Sequence, residues 1–301
     1  FLGSGLDAFP AAWIPQLLAP TQDDTADFVS PHYVRAPHEG AITRSIVYPM
    51  FRAMYGWRVR QPASGEFAAS ARLQTHLLDQ GFWDAEHAES GIDLWIASAS
   101  ATGGFRLAEA EFGPRPPGLR TVVPDLSDTI AQVVGALFAD LEVHDAMWQR
   151  VRGSTAVPAT GTPPATPLAD PDLDPARLID AFRLGYDGLR DVWAWIVPPR
   201  TMLYFKRLAA AGPETFRVED DVWAGAIYDF AVAYRGRTMP RDHLLRALTP
   251  LYLGWLASFL LEMHGHSAAD ADGRIERLCA TFEARKPYLV SRWRWPDRFR
   301  V

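Results

Sequence analysis

Apolar and polar residues alternate along residues 25–34 and again along 105–112, the two-residue period of a strand with one buried face. Between and after these stretches the period lengthens. Residues 42–55 and 130–150 carry apolar side chains every three to four positions and predict helices. Residues 1–153 therefore mix strand and helix signals, which predicts an α/β half built from short elements. Residues 154–175 interrupt the pattern. Prolines stand at 158, 163, 164, 167, 171 and 175 among alanines and threonines, with no apolar period, and this predicts a surface linker. Every long segment beyond it reads as helix, over 176–197, 219–234, 241–264 and 268–285, so residues 176–301 predict a helical domain.

Composition narrows what these elements can do. A chain of 301 residues with 48% hydrophobic content can bury a large core. Thirty Lys and Arg against thirty-six Asp and Glu leave a formal charge of -6, which argues against broad attraction to nucleic acid or anionic lipid. Cys279 is the only cysteine, so an intrachain disulfide and a Cys-based zinc site are excluded; a buried thiol in a reducing cytoplasm is expected. Residues 1–10 lack the charged start and apolar run of an export signal, and no segment reaches the ~20 apolar residues of a membrane span. The tryptophan-bearing stretch 192–196 and the aromatic run 252–259 fall at helical spacing and read as core. His264-Gly265-His266 reads as a helix end rather than a metal site. Arg292-Trp293-Arg294-Trp295, with Arg298 and Arg300, reads as a tail docked by cation–π contacts.

Candidate chemistry sits in Arg60-Gln61-Pro62-Ala63-Ser64-Gly65-Glu66-Phe67 and Ser90-Gly91-Ile92-Asp93-Leu94-Trp95. Glycine beside an acid lets backbone approach a polar ligand closely. A carboxylate at a helix start is favoured by the helix dipole and can meet the first acid across a cleft. Two anchored carboxylates suit a hydroxyl-rich ligand such as a sugar.

Further segments extend this pattern: Asp27-Phe28-Val29-Ser30-Pro31, Arg35, Gly40-Ala41-Ile42-Thr43, Val47-Tyr48-Pro49, and Gln132 to Phe138. Together with the two stretches above they resemble bacterial glycosyltransferases related to mannosylglycerate synthase. The resemblance runs from Gly3 to about Gly153, and more loosely through Tyr228-Asp229-Phe230-Ala231 and Lys286-Pro287-Tyr288-Leu289. It implies a GT-A fold, a nucleotide-sugar donor, retention of configuration and a divalent metal, Mg or Mn. It also implies that Arg35 and Thr43 hold the carboxylate of a glycerate-like acceptor, that Gln61, Gly65 and Glu66 line the sugar pocket, and that Asp93 lies beside the transferred sugar. An arginine fork matches a carboxylate in two places.

Departures from the family pattern are equally specific. Gly3-Ser4-Gly5 falls where the family carries an Asp-x-Asp metal motif, and Gly113-Pro114-Arg115-Pro116-Pro117-Gly118 has no histidine where a metal ligand is expected. The metal ligands are thus not found, and Arg115 or Arg120 is placed to neutralise phosphate instead. The family's first βα units, with the nucleotide-base pocket, have no counterpart before Phe1. An unpaired sheet edge is then expected, and with it either a missing segment or association, a homo-oligomer included. Two classes of function fit these residues: an active hexosyltransferase, with Glu66 and Asp93 catalytic and a small carboxylated acceptor, or an inactive glycosyltransferase-like binding or assembly protein.

Overall fold

The computed structural model describes residues 9–36, 38–80, 91–115, 125–162 and 173–295. It is a mixed α/β protein in which helix predominates. Helix α1 (Trp13–Gln22) precedes strand β1 (Phe28–Val34), and a π-helical turn, Thr43–Val47, runs straight into α2 (Tyr48–Tyr55). Then follow β2 (Trp57–Arg58), β3 (Ala68–Ala69), α3 (Ala71–Asp79), α4 (Ile92–Thr102), β4 (Leu107–Pro114), α5 (Leu126–Val143) and α6 (Asp145–Trp148). Strands β5 (Thr155–Ala156) and β6 (Ala159–Thr160) lead to helices α7 (Pro175–Ala194), α8 (Pro199–Ala210), α9 (Asp220–Arg235), α10 (Arg241–Arg246), α11 (Thr249–Met263) and α12 (Ala268–Arg294).

The four-stranded sheet has the order β3-β1-β4-β6, with β1 parallel to β4, β4 parallel to β6, and β3 antiparallel to β1. Both edges, β3 and β6, are only two residues long. Strands β2 and β5 form a separate parallel pair. Pairing of β1 with β4 sets Phe28 opposite Leu107, Ser30 opposite Glu109 and His32 opposite Glu111. Since side chains alternate along a strand, this face changes from apolar to polar toward the strands' carboxyl ends. The other face carries Val29, Tyr33, Ala108, Ala110 and Phe112, which pack under α1 with Leu17 and Phe9 in a small core.

The large core lies on the first face and does not stop at residue 153. It runs from Phe28 and Phe51 through Phe138 to Trp255 and Leu289. Helix α12 joins the halves because its positions 272, 276, 283 and 286 share a face, and Arg44, Tyr48 and Arg52 are spaced by four along the facing segment. Arg44 pairs with Asp272 at 2.8 Å, the Tyr48 hydroxyl donates to Glu276 at 2.7 Å, and Arg52 pairs with Glu283 at 2.9 Å and also with Glu276. Lys286 Nζ donates to the carbonyls of Ala53 (2.6 Å) and Val151 (3.0 Å).

Several expectations need correction. In the proline-rich stretch, residues 154–162 are exposed or half-buried, but β5 and β6 lie among them and pair with β2 and β4; residues 163–172 lie outside the described residues. Helix α8 falls where proline-flanked sequence hid the helical period. Trp195 is 78% exposed, unlike Trp193 two positions earlier, which is fully buried. Arg292 to Trp295 is not a tail: Arg292 to Arg294 close α12, with Trp293 buried beneath Arg235 at 4.6 Å; Arg298 and Arg300 lie outside the described residues. The stretch Arg241–Met263 is long and apolar enough to cross a membrane, contrary to expectation, but 72% of its apolar window is buried inside the fold, as suits a core helix. Cys279 is buried and free.

One shared core predicts one unfolding transition. Phe51→Ala, at a fully buried position, is expected to cost about 3–5 kcal/mol. Urea unfolding followed by circular dichroism and by tryptophan fluorescence should give coincident curves for the wild type and for the variant; separated transitions would show that the halves unfold independently.

Candidate functional site

Parallel pairing brings the carboxyl ends of β1 and β4 side by side, with Arg35 just beyond one and Arg115 just beyond the other. Crevices at this end of parallel strands collect ligand-binding groups because backbone and loops diverge there. The segment 60–67, between β2 and β3, crosses this end. Gln61 Oε1 accepts from Arg35 Nη2 at 2.8 Å, and the Gln61 carbonyl accepts from the Ser30 hydroxyl at 2.6 Å.

Gly65 has φ +82°, a conformation that favours glycine, and its amide hydrogen bonds the Asp93 carboxylate. Asp93 stands in the first turn of α4, as expected of an acid at a helix start. That helix begins at Gly91, where a Cβ would lie 2.4 Å from the Cβ of Ala136 on α5, so only glycine allows this approach. Glu66 is buried and accepts from Tyr33 (3.3 Å) and Arg115 (3.3 Å). The Arg35 and Arg115 guanidinium groups each lie 5.6 Å from the Tyr33 ring centre.

The six residues singled out in the sequence thus form two adjoining groups. Gly65, Glu66 and Asp93 make one, bridged by Tyr33 and Arg115 to the other, which holds Arg35 and Gln61. Thr43 lines the same cavity as Arg35 and Gln61, together with His32, Arg44 and Arg60. Burial raises the pKa of Glu66, against Arg115 and Tyr33, and the neighbouring Asp93 raises it further. Burial also raises that of Asp93, against the Gly65 amide.

Arg35 is the electrostatic exception. Burial, and then Arg115 and Arg44, bring its pKa down to about 10. It forms no ion pair among the described residues, and its Nε is buried without a hydrogen-bond partner. Gly40, at φ +63°, makes room for it: a Cβ there would lie 2.2 Å from Arg35 Nη1.

Sequence reasoning missed a second network. Glu109 pairs with Arg60 at 2.6 Å, Glu111 also pairs with Arg60, and His32 Nδ1 meets Glu111 at 2.7 Å. The alternation in 105–112 suggests polar side chains facing water, yet Glu109 is only 2% exposed. Acids at two same-face positions of a strand, with basic residues in nearby segments, were the available signal. Burial works to raise the Glu111 pKa, but the His32 hydrogen bond and charge, and Arg60, outweigh it and hold the carboxyl down to about 2.

The divalent cation implied by the resemblance would need oxygen ligands. Among the described residues no cluster of three metal-ligating side chains occurs, and Arg115 stands after β4 with its guanidinium on Glu66. Gly3 to Gly5, Asp7, Pro116 to Gly118 and Arg120 lie outside the described residues. His264 ends α11, and His266 Nδ1 lies 3.2 Å from its carbonyl.

Two predictions follow from this geometry. A carboxyl at 4.5 when unfolded and about 2 when folded contributes stability that is fully present above about pH 4.5 and lost as the pH falls toward 2. Urea titrations at pH 6 and pH 3 should therefore show Glu111→Gln losing on the order of 2–3 kcal/mol at the higher pH and less at the lower. Gly40→Ala should cost about 1–2 kcal/mol through its left-handed backbone and shift Arg35 off Gln61, which a crystal structure of the variant would display.

No protein-family profile matches the chain, and no curated protein sequence matches it significantly.

Proposed function

We propose that this chain carries the acceptor side of a GT-A-like glycosyltransferase, moving a sugar from a nucleotide-sugar donor to a small hydroxylated, carboxylated acceptor such as glycerate. The supporting observation is Arg35: a cation with no ion-pair partner among the described residues, lining a cavity with Thr43 and separated from Glu66 by Tyr33. A guanidinium so placed gains most from an anionic ligand, which supplies the missing counter-charge. On this reading Arg35 and Thr43 hold the acceptor carboxylate and Gln61 fixes the Arg35 fork. Gly65 lets the chain approach the sugar. Glu66 and Asp93 take its hydroxyls and stabilise charge developing at the anomeric carbon. Arg115 supplies positive charge for the diphosphate, and no step is routed through a metal.

A second reading has a specific observation in its favour. Glycines stand at positions 3 and 5, and no histidine stands in 113–118, where the family resemblance calls for metal ligands. A chain without donor chemistry would be a binding or assembly protein that keeps the anion pocket.

Turnover with nucleotide sugars and glycerate, with and without manganese, separates the two. Transfer is expected, with Arg35→Gln raising the acceptor KM at least about tenfold at similar kcat, as loss of a charge-assisted pair implies. Asp93→Asn should lower kcat by about a hundredfold. Absence of both transfer and nucleotide binding under either condition leaves only the binding reading.

A further inference from the structure

The cavity beside Arg35 is also lined by His32, which the roles above do not use. We propose that His32 is the base that takes the proton of the acceptor hydroxyl, with Glu111 and Arg60 as positioning residues. This rests on the transfer reading of the same site.

The cavity has a volume of about 30 Å³, room for one or two water-sized groups, and so suits the hydroxyl end of an acceptor rather than a whole sugar. Its lining narrows the choice of base. Arg35, Arg44 and Arg60 are guanidinium groups and have no free lone pair. Asp272 is tied to Arg44, and Glu276 accepts from Tyr48 and pairs with Arg52. Tyr33 donates to Glu66, and Gln61 accepts from Arg35. His32 remains. Its Nδ1 meets Glu111 at 2.7 Å, and in the neutral ring with its hydrogen on Nδ1 the lone pair is on Nε2. Among the described residues the His32 ring has its hydrogen bond through Nδ1 and none through Nε2, and His32 lines the cavity. Glu111 is itself held by Arg60, which Glu109 grips at 2.6 Å and 2.8 Å, so the imidazole is oriented through two further groups.

In the step assigned to it, the acceptor oxygen forms a bond to the anomeric carbon of the nucleotide sugar. The bond from that carbon to the diphosphate oxygen breaks, its electron pair leaves with the nucleoside diphosphate, and the hydroxyl proton passes to His32 Nε2. Glu111 stabilises the imidazolium so formed, as a carboxylate does behind a catalytic histidine.

His32→Asn is the informative variant, because its amide nitrogen takes the place of Nδ1 and still donates to Glu111 while no base remains. Its kcat is expected to fall by about 10²–10⁴, with the acceptor KM within roughly threefold of wild type. In His32→Ala, added imidazole should restore part of the lost rate, which it cannot do for a folding defect. Glu111→Gln should lower kcat by about tenfold, since the ring loses its orientation. A His32→Asn enzyme with near wild-type kcat overturns the proposal and leaves the transfer reading intact, as does failure of imidazole to rescue a folded His32→Ala protein. Wild-type protein that transfers no sugar overturns both.

Discussion

Pairing of β1 with β4 in parallel register is the constraint on which the rest of this structure depends. It sets Ser30 against Glu109 and His32 against Glu111, while Phe28 and Leu107 stay in the apolar core. A slip of one residue would turn these acids toward α1 and expose the sheet's apolar side chains to the wrong face. Buried carboxylates are tolerated only when paired, and Arg60 with His32 provides the pairing. The same register places Arg35 and Arg115 at neighbouring strand ends, so core packing and site geometry share one cause.

Helix α12 supplies the second constraint. Its acidic face meets the Arg44, Tyr48 and Arg52 stripe, and Asp272 and Glu276 reach the cavity that Arg35 and His32 line. The helical half is therefore one wall of the candidate site as well as a partner in the core. Helix α12 also binds α9: the Tyr288 hydroxyl donates to Asp229 at 2.6 Å, and Arg292 pairs with the same carboxylate. Burial raises the Asp229 pKa, against Arg292 and Tyr288, to about 7.

Charge at the site is distributed unevenly. Glu109 and Glu111 have cationic partners, Glu66 has Arg115, and Asp93 has an amide donor. Arg35 hydrogen bonds an amide oxygen and lies against an aromatic face, with no ion pair among the described residues. In a low-dielectric setting an unbalanced cation of this kind favours an anionic ligand strongly and selects against neutral ones. That asymmetry, more than either carboxylate, is what supports the proposed anionic acceptor.

Much of the fold was legible in the sequence because it depends on local periodicity. The strands at 25–34 and 105–112, the helices at 42–55 and 130–150 and most of the helical half carry their own apolar pattern; the glycine at 65 and the acid at 93 announce a turn and a helix start. What periodicity could not show was which polar positions would be buried. Glu109, Glu111 and His32 read as a strand's solvent side, and only the arrival of Arg60 and α12 over that face makes it interior. Strands β5 and β6 stayed hidden because two residues are too few to display a period and their pairing partners are distant in sequence. Residue type by itself marked Gly65, Glu66 and Asp93 as suited to a polar ligand, whereas Arg35, Thr43 and Gln61 entered only through the family resemblance. Tertiary structure decided that Arg35 has no ion-pair partner among the described residues and that His32 faces the same cavity, because burial and pairing are properties of contacts between segments far apart along the chain.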